Sequence, residues 1–225
     1  MSYPVIYSER ETKFDTQGLG VLSDAISCVV TEERNSSYEL EMVYPLIGIH
    51  YDEIKLDRII CAVPAQKKEP QPFRIYKITR PLNGKVTVDA RHISYQLSYI
   101  PVEPFTAANC AEALQGLKIH SKEDNPFTFY TDIDKVADYK QFTPKSLRSR
   151  LMGNDGCIND VYGEGDYEFD KYTVKYLADR GKDNGLVIKY GSNLTDLEQE
   201  ENIENCITGI LPYWEANNFG FMKVE

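Results

Sequence analysis

The chain has 225 residues, of which 42% are hydrophobic and 27% charged, proportions that are ordinary for a folded globular protein and argue against disorder. The formal net charge of −10 excludes a typical nucleic-acid-binding or anionic-membrane-binding protein, because both depend on lysine and arginine. No apolar run approaches the roughly 18 residues that span a bilayer, and the N-terminus lacks the basic and apolar regions of a signal peptide. We therefore expect no membrane insertion and no export by a signal.

The five cysteines are far apart and odd in number, and no two form a C-x-x-C pair. They are Cys28, Cys61, Cys110, Cys157 and Cys206. Disulfides belong mainly to oxidising compartments and show a framework of spacings that is missing here. We expect five free thiols in a protein that folds in a reducing cytoplasm.

The first part of the chain, residues 1–101, is predicted to be rich in strands. In the segment 37–44, aromatic and aliphatic side chains alternate with Glu39 and Glu41, a pattern typical of a half-buried antiparallel strand. Further strands are predicted over 26–31, 58–63, 73–79 and 86–88. Asn83-Gly84 between the last two predicts a hairpin.

Residues 102–200 are predicted to mix helices and strands. Thr106 is the expected N-cap of a helix over 107–117, and Thr143 followed by proline is the expected N-cap of a second helix that ends before Gly153. Two strands, 166–169 and 172–177, are predicted on either side of a tight turn at Asp170-Lys171.

The C-terminal residues 201–225 are predicted to begin a returning segment. An acidic stretch over 196–205 fits a short helix or a loop, and a last strand is expected over 207–211. The chain stops at Glu225 without a capping signal, so we expect it to be a truncated piece of a longer protein.

The candidate catalytic residues form no convincing constellation. His50, His92 and His120 match no zinc spacing, so we interpret them as structural or solvated. A nucleophilic pair of Cys110 with His120 stays open, although Cys110 lies on the apolar side of the predicted helix, which favours a structural thiol.

The remaining chemical motifs are incomplete. Asp132-x-Asp134 lacks the glycine and distal glutamate of a calcium loop, and Gly18-Leu19-Gly20 lacks the third glycine of a dinucleotide fingerprint and fits a turn. Glu198, Glu200 and Glu201 form a charge run typical of a solvated face. The sequence therefore predicts no catalytic residue, no cofactor-binding residue, no metal ligand and no cofactor.

Four stretches, taken in order, resemble the N-terminal region of the phage minor structural protein family, also called prophage endopeptidase tail or tail-associated lysin. They are ERNSSYELEMVYPL at 33–46, QPFRIY at 71–76, GEGDYEFD at 163–170, and RGKDNG at 180–185 running into IKYGSNL at 188–194. The resemblance implies a mostly β, α+β fold like that of tail hub proteins. Such a fold has an antiparallel β-barrel-like domain, expected over 1–101, and a smaller α+β domain, expected over 102–200.

The resemblance also implies a function. A baseplate hub at the tail tip closes the tail tube, forms a trimeric ring and guides DNA exit without binding the DNA. Its expected partners are the distal tail protein and the tape measure protein, and its expected location is the virion tail, after assembly in the bacterial host cytoplasm. The alternative is a cell-wall (peptidoglycan) endopeptidase that acts during infection, but the family offers no catalytic motif that can be placed on these residues.

The net charge of −10 suggests a further hypothesis about DNA passage. An acidic wall repels duplex DNA only within roughly 8–10 Å at physiological salt, so only residues that line the channel count. The solvent face that carries Glu39 and Glu41 is one candidate lining. The alternative is that the charge serves only solubility.

Overall fold

The computed structural model describes residues 3–65, 68–153, 155–163, 165–181, 185 and 187–191, and the backbone of two short strands near the C-terminus. Contacts divide the chain into two compact units, Met1–Lys182 and Asp183–Glu225. The stretches predicted over 196–205 and 207–211 lie outside the described residues, as does Cys206. The predicted domain boundaries at residues 101 and 200 stay predictions.

The first unit is built on a seven-stranded antiparallel sheet that curls into a half-barrel. Its strands are β1 Val5–Tyr7, β2 Gly20–Val21, β3 Ser27–Glu32, β4 Tyr38–Pro45, β5 Ile59–Ala62, β6 Gln71–Thr79 and β7 Lys85–His92. Their spatial order is β2-β1-β5-β6-β7-β4-β3, which leaves β2 and β3 at the edges of the sheet.

Strand β4 shows why the sheet has one buried face. Along Tyr38–Pro45, every second side chain is buried, beginning with Tyr38, while Glu39 and Glu41 point away from the core. The alternation predicted from the sequence is confirmed, because side chains on a strand point to opposite faces in turn. The face of β4, β6 and β7 that lies opposite the core is called the outer face below.

The predicted hairpin between β6 and β7 is also confirmed. Gly84 has a φ of 77°, a conformation that glycine adopts without a steric penalty. The Lys85 amide donates to the Asn83 side-chain oxygen at 3.3 Å, which closes the turn. The turn is followed by antiparallel pairing of Thr79 with Thr87.

The remaining elements of the first unit are short. They are two 3-10 helices, Tyr51–Glu53 and Ile93–Ser98, the strands β8 Pro101–Val102, β9 Phe105–Asn109, β10 Thr128–Thr131, β11 Val136–Gln141, β12 Lys145–Ser146, β13 Asp166–Asp170 and β14 Thr173–Leu177, and the helices α1 Cys110–Ile119, α2 Leu147–Leu151 and α3 Ile158–Tyr162. They form a three-stranded sheet, β10-β14-β13, and the two-stranded pairs β9-β11 and β8-β12. The described elements of the second unit are β15 Tyr213–Glu215 and β16 Phe221–Lys223, an antiparallel pair.

Both predicted helices exist, but both predicted N-caps are wrong. Thr106 lies within β9, and α1 is capped three residues later by Asn109, whose side chain accepts from the Glu112 amide at 2.9 Å. Thr143 precedes β12, and α2 is capped by Ser146. In each case the residues before the helix are drawn into strand pairing, which a local pattern does not reveal.

The half-barrel and the elements after residue 101 share one hydrophobic core. A single cluster of buried side chains includes Met42 and Val88 from the sheet together with Leu114, Leu147 and Tyr176 from the later elements. The predicted mostly β, α+β fold is therefore confirmed. No helix among the described residues is both long and apolar enough to cross a membrane.

Candidate functional site: surfaces and clefts of the first unit

The three histidines lie in separate environments. His92 is fully buried and stacks on Tyr38 with 4.6 Å between ring centroids, and burial together with the Arg148 guanidinium lowers its pKa to about 3. His50 packs against the backbone of Gly20, where an added Cβ would lie 2.4 Å from the ring. His120 stacks on Phe105.

The open Cys110–His120 pair is not a nucleophile–base pair. Cys110 begins α1 and His120 is its C-cap, so ten residues of helix separate them by about 15 Å at 1.5 Å per residue. The thiol is buried 3.7 Å from the Thr131 hydroxyl, and burial raises its pKa. A thiol with a raised pKa is a poor nucleophile.

The other motifs noted in the sequence have structural roles in the fold. Asp132 accepts a hydrogen bond from the Ala178 amide at 2.8 Å and thereby fixes the end of β14. Gly18 and Leu19 form the predicted turn into β2. Within the described ranges, no group of three or more His, Cys, Asp or Glu residues is arranged to hold a metal ion. Cys28, Cys61, Cys110 and Cys157 are free thiols.

One end of the half-barrel carries a set of exposed aliphatic side chains, which we call the apolar rim. Its members are Ile26, Leu46, Ile47, Ile49 and Leu82. Ile26 precedes β3, Leu46 to Ile49 follow β4, and Leu82 lies in the β6–β7 turn, so antiparallel pairing brings them to the same end.

Hydrogen bonds from backbone amides hold three residues of the apolar rim in place. The Ile26 amide donates to the Val43 carbonyl at 2.9 Å, the Leu46 amide to the Gly84 carbonyl at 3.0 Å, and the Ile49 amide to the Asp24 carboxylate at 2.9 Å. Ile47 and Leu82 are 95% and 108% exposed. Clustered aliphatic side chains on a protein surface mark contact sites for other molecules, whereas single ones need no explanation.

The outer face is balanced in charge. Cross-strand pairing places Glu39 beside Arg91 and Glu41 beside Asp89, with Lys77 beyond Asp89. Ion pairs at 3.0 Å join Arg91 to Glu39 and Lys77 to Asp89. With Arg74 and Lys85 included, four cations face three carboxylates on β4, β6 and β7. This face therefore has no acidic excess.

Arginines and aromatic rings alternate along one side of the molecule. The Arg91 guanidinium lies 4.3 Å from the ring centroid of Tyr76 and 5.2 Å from that of Tyr95. The Arg148 guanidinium lies 4.3 Å from Tyr95 and 5.7 Å from Phe169. Cation–π contacts of this kind hold both guanidinium groups in fixed positions.

Three clefts lie near these residues. The first, about 380 Å³, contains Glu32, Glu168 and Arg180, with a 2.6 Å ion pair between Arg180 and Glu32. A second, about 320 Å³, is bordered by Tyr76 and Arg91, and a third, about 410 Å³, by Arg148. None of the three contains two of the histidines or cysteines named above.

Comparison with known proteins shows a similarity in fold. No protein-family model matches the chain, and no curated protein is significantly similar in sequence. A solved structure, prophage tail protein gp18 from Listeria monocytogenes, matches with a TM-score of 0.59 at 12% identity. The match covers 78% of this chain and 50% of that protein, so this chain spans about half the length of gp18. The fold of the chain is therefore similar to that of a prophage tail protein.

Proposed function

We propose that the chain is a structural component of a phage or prophage tail, and specifically the baseplate hub that forms a ring at the tail tip. In this role it closes the tail tube as a homotrimer in the virion tail. The distal tail protein and the tape measure protein are its neighbours, and assembly takes place in the host cytoplasm. The observation that carries the proposal is the half-barrel fold shared with a prophage tail protein, and the apolar rim supports it.

The apolar rim supports assembly because its exposed aliphatic side chains are in unfavourable contact with water, and a neighbouring subunit that covers them removes this contact. Burying apolar surface contributes roughly 25 cal/mol per Å² removed from water. The rim residues lie in turns next to the ends of β3, β4 and β7. Hydrogen bonds from the Ile26, Leu46 and Ile49 amides restrain these turns, which reduces the conformational entropy lost when a neighbour covers the rim. An enzyme acting alone has no need of such a rim.

Substitution of the rim tests the proposal. Ile47→Asp combined with Leu82→Asp should leave the melting temperature of the isolated chain nearly unchanged, because both side chains are exposed. The same change should sharply lower the yield of complete tails when the full-length protein is expressed with the other tail proteins. The matched control is Val136→Asp on β11, which is 81% exposed and lies outside the rim. Normal tail yield from the rim variant would contradict this role for the rim.

DNA passage without binding is part of the proposal, and it has a physical basis on the outer face. DNA binding requires lysine and arginine side chains that are free to neutralise phosphates and so displace the counterions condensed on the DNA. Arg91 and Lys77 are already paired with carboxylates, so in a channel lined by this face only Arg74 and Lys85 of its four cations would be without a carboxylate partner among the described residues. We therefore attribute the expected weak binding of DNA to the pairing of cations with carboxylates, and not to an excess of acidic residues on this face.

The alternative, a peptidoglycan endopeptidase, makes an opposite prediction for purified cell walls. We expect no release of dye from labelled walls by this chain, because the candidate pair Cys110 and His120 is separated along α1 and the Cys110 thiol is buried. Release that disappears on mutation of one cysteine or histidine would favour the enzyme.

A further inference from the structure

The third cleft, about 410 Å³ and open to solvent, has an unusual lining for so acidic a chain. Its residues include Arg148 and the five serines Ser36, Ser37, Ser98, Ser146 and Ser149. No aspartate or glutamate is among the described residues that line it, although the chain has 35 acidic residues and a net charge of −10. The side chains of Ser36 and Ser37 hydrogen-bond to the Glu33 carboxylate, which lies outside this lining. The groups that remain for a ligand are the Arg148 guanidinium and the hydroxyls of Ser98 and Ser146.

The Arg148 guanidinium is fixed but not neutralised. Its Nη2 donates to the Ser36 carbonyl at 2.8 Å, and Tyr95 and Phe169 pack against its plane. Its Nη1 is buried without a hydrogen-bond partner among the described residues. The ion pairs of the described residues do not include Arg148. Its neighbour Arg91, by contrast, has Glu39 as a partner.

A buried or half-buried cation without a counter-charge is costly, which makes a bound anion favourable. Ser98 and Ser146 supply the complementary donors, whereas the Ser149 hydroxyl donates to the Ser146 carbonyl at 2.8 Å. Ser146 Oγ accepts from the Ser149 amide at 3.3 Å and keeps its own hydrogen for an incoming oxygen atom, and Ser98 is exposed at the mouth of the cleft. A guanidinium group and hydroxyl donors around one point suit a tetrahedral oxyanion with several acceptor oxygens.

We propose that this cleft binds a phosphate group, carried either by a small phosphate ester or by free inorganic phosphate. Neither the fold nor a role in tail assembly requires such a ligand, so the proposal stands apart from the proposed function. The phosphate oxygens accept hydrogen bonds from Arg148 and from the hydroxyls of Ser98 and Ser146. The pairing of Arg91 with Glu39 makes that neighbouring arginine unavailable.

The test is a binding titration of the 225-residue chain with glycerol 3-phosphate and, separately, with inorganic phosphate. Ionic strength is held with sodium chloride at about 0.15 M, because surface electrostatics depend on salt. We expect saturable binding that is followed by the arginine side-chain and serine amide resonances in NMR spectra. Tighter binding of the ester identifies contacts beyond the phosphate group, and equal binding shows that the phosphate group alone is recognised. Either result supports the site.

Two variants locate the binding. Arg148→Gln should lower the affinity by at least about tenfold, because hydrogen bonds to charged groups are the strong ones. Ser98→Glu, at an exposed position, should do the same by repulsion without a change in folding, and it keeps the test valid if Arg148→Gln fails to fold. Arg91→Gln and the exposed Thr106→Glu are controls outside the cleft and should bind as the wild type does. The proposal is overturned if neither ligand binds saturably, or if the Ser98→Glu chain binds as well as the wild type.

Discussion

At the residue scale, one buried histidine joins the two parts of the first unit. Nδ1 of His92 accepts from the Ser94 amide at 3.2 Å, so Nε2 carries the proton and donates to the Gln71 side-chain oxygen at 3.3 Å. That oxygen also accepts from the Lys171 amide at 2.7 Å, and the Gln71 amide group donates to Asp170 at 2.9 Å. The sequence indicated only that His92 is structural or solvated. It could not show that His92 links the half-barrel to the β13–β14 turn, because Gln71 and Lys171 are 100 residues apart.

This environment predicts a pH dependence of stability. The pKa of His92 is lowered to about 3 in the folded chain and is about 6.5 when unfolded, so the unfolded state binds a proton first as the pH falls. The contribution of neutral His92 to the free energy of unfolding is therefore complete above pH 6.5. It is lost between about pH 6.5 and pH 3, at up to about 1.4 kcal/mol per pH unit.

Chemical unfolding at a series of pH values measures the His92 effect. His92→Gln should reduce the slope of unfolding free energy against pH in this window, whatever its effect on absolute stability. His120→Gln, at a histidine outside the buried network, is the matched control, and its slope is measured alongside. An identical slope for His92→Gln and the wild type would show that His92 does not titrate in this way.

At the element scale, the start of helix α1 shows what a local pattern reveals and what it misses. The helix itself was predictable from its run of alanine and leucine, and Asn109-Cys110-Ala111-Glu112 contains a readable cap with an acidic residue three positions on. Thr106 was the wrong choice because Phe105–Asn109 pairs with β11, and that pairing depends on residues about thirty positions later. Strand β11 and helix α3 were not predicted, since neither has a clear period or cap in the sequence.

The loss of stability on substitution distinguishes Asn109 from Thr106 as the N-cap of α1. Asn109→Ala should lower the free energy of unfolding by about 1 kcal/mol, because the Glu112 amide loses its acceptor. Thr106→Ala should change it by less than about 0.5 kcal/mol, because Thr106 is exposed on β9. Equilibrium denaturation of both variants gives the two values, and a larger loss for Thr106→Ala would contradict the assignment of Asn109 as the cap.

At the scale of the whole molecule, the sequence predicted the kind of fold better than its connections. The alternation in β4, the Asn83-Gly84 hairpin and the β13–β14 turn were all local signals and are confirmed. The parallel pairing of β10 with β14 and the shared core depend on contacts between distant segments, which one sequence cannot display. The apolar rim was missed for the same reason, because its five residues come from three separate segments.

The central claim is that the chain forms part of a ring at the end of a phage tail, and particle images test it most directly. Tails assembled with the full-length protein, imaged by cryo-electron microscopy without imposed symmetry, should show this half-barrel repeated three times around the tail axis at the distal end of the tube. The apolar rim should be covered by a neighbouring subunit or by the next ring. Tails that lack the half-barrel, or that carry it as a single copy away from the axis, would contradict the account.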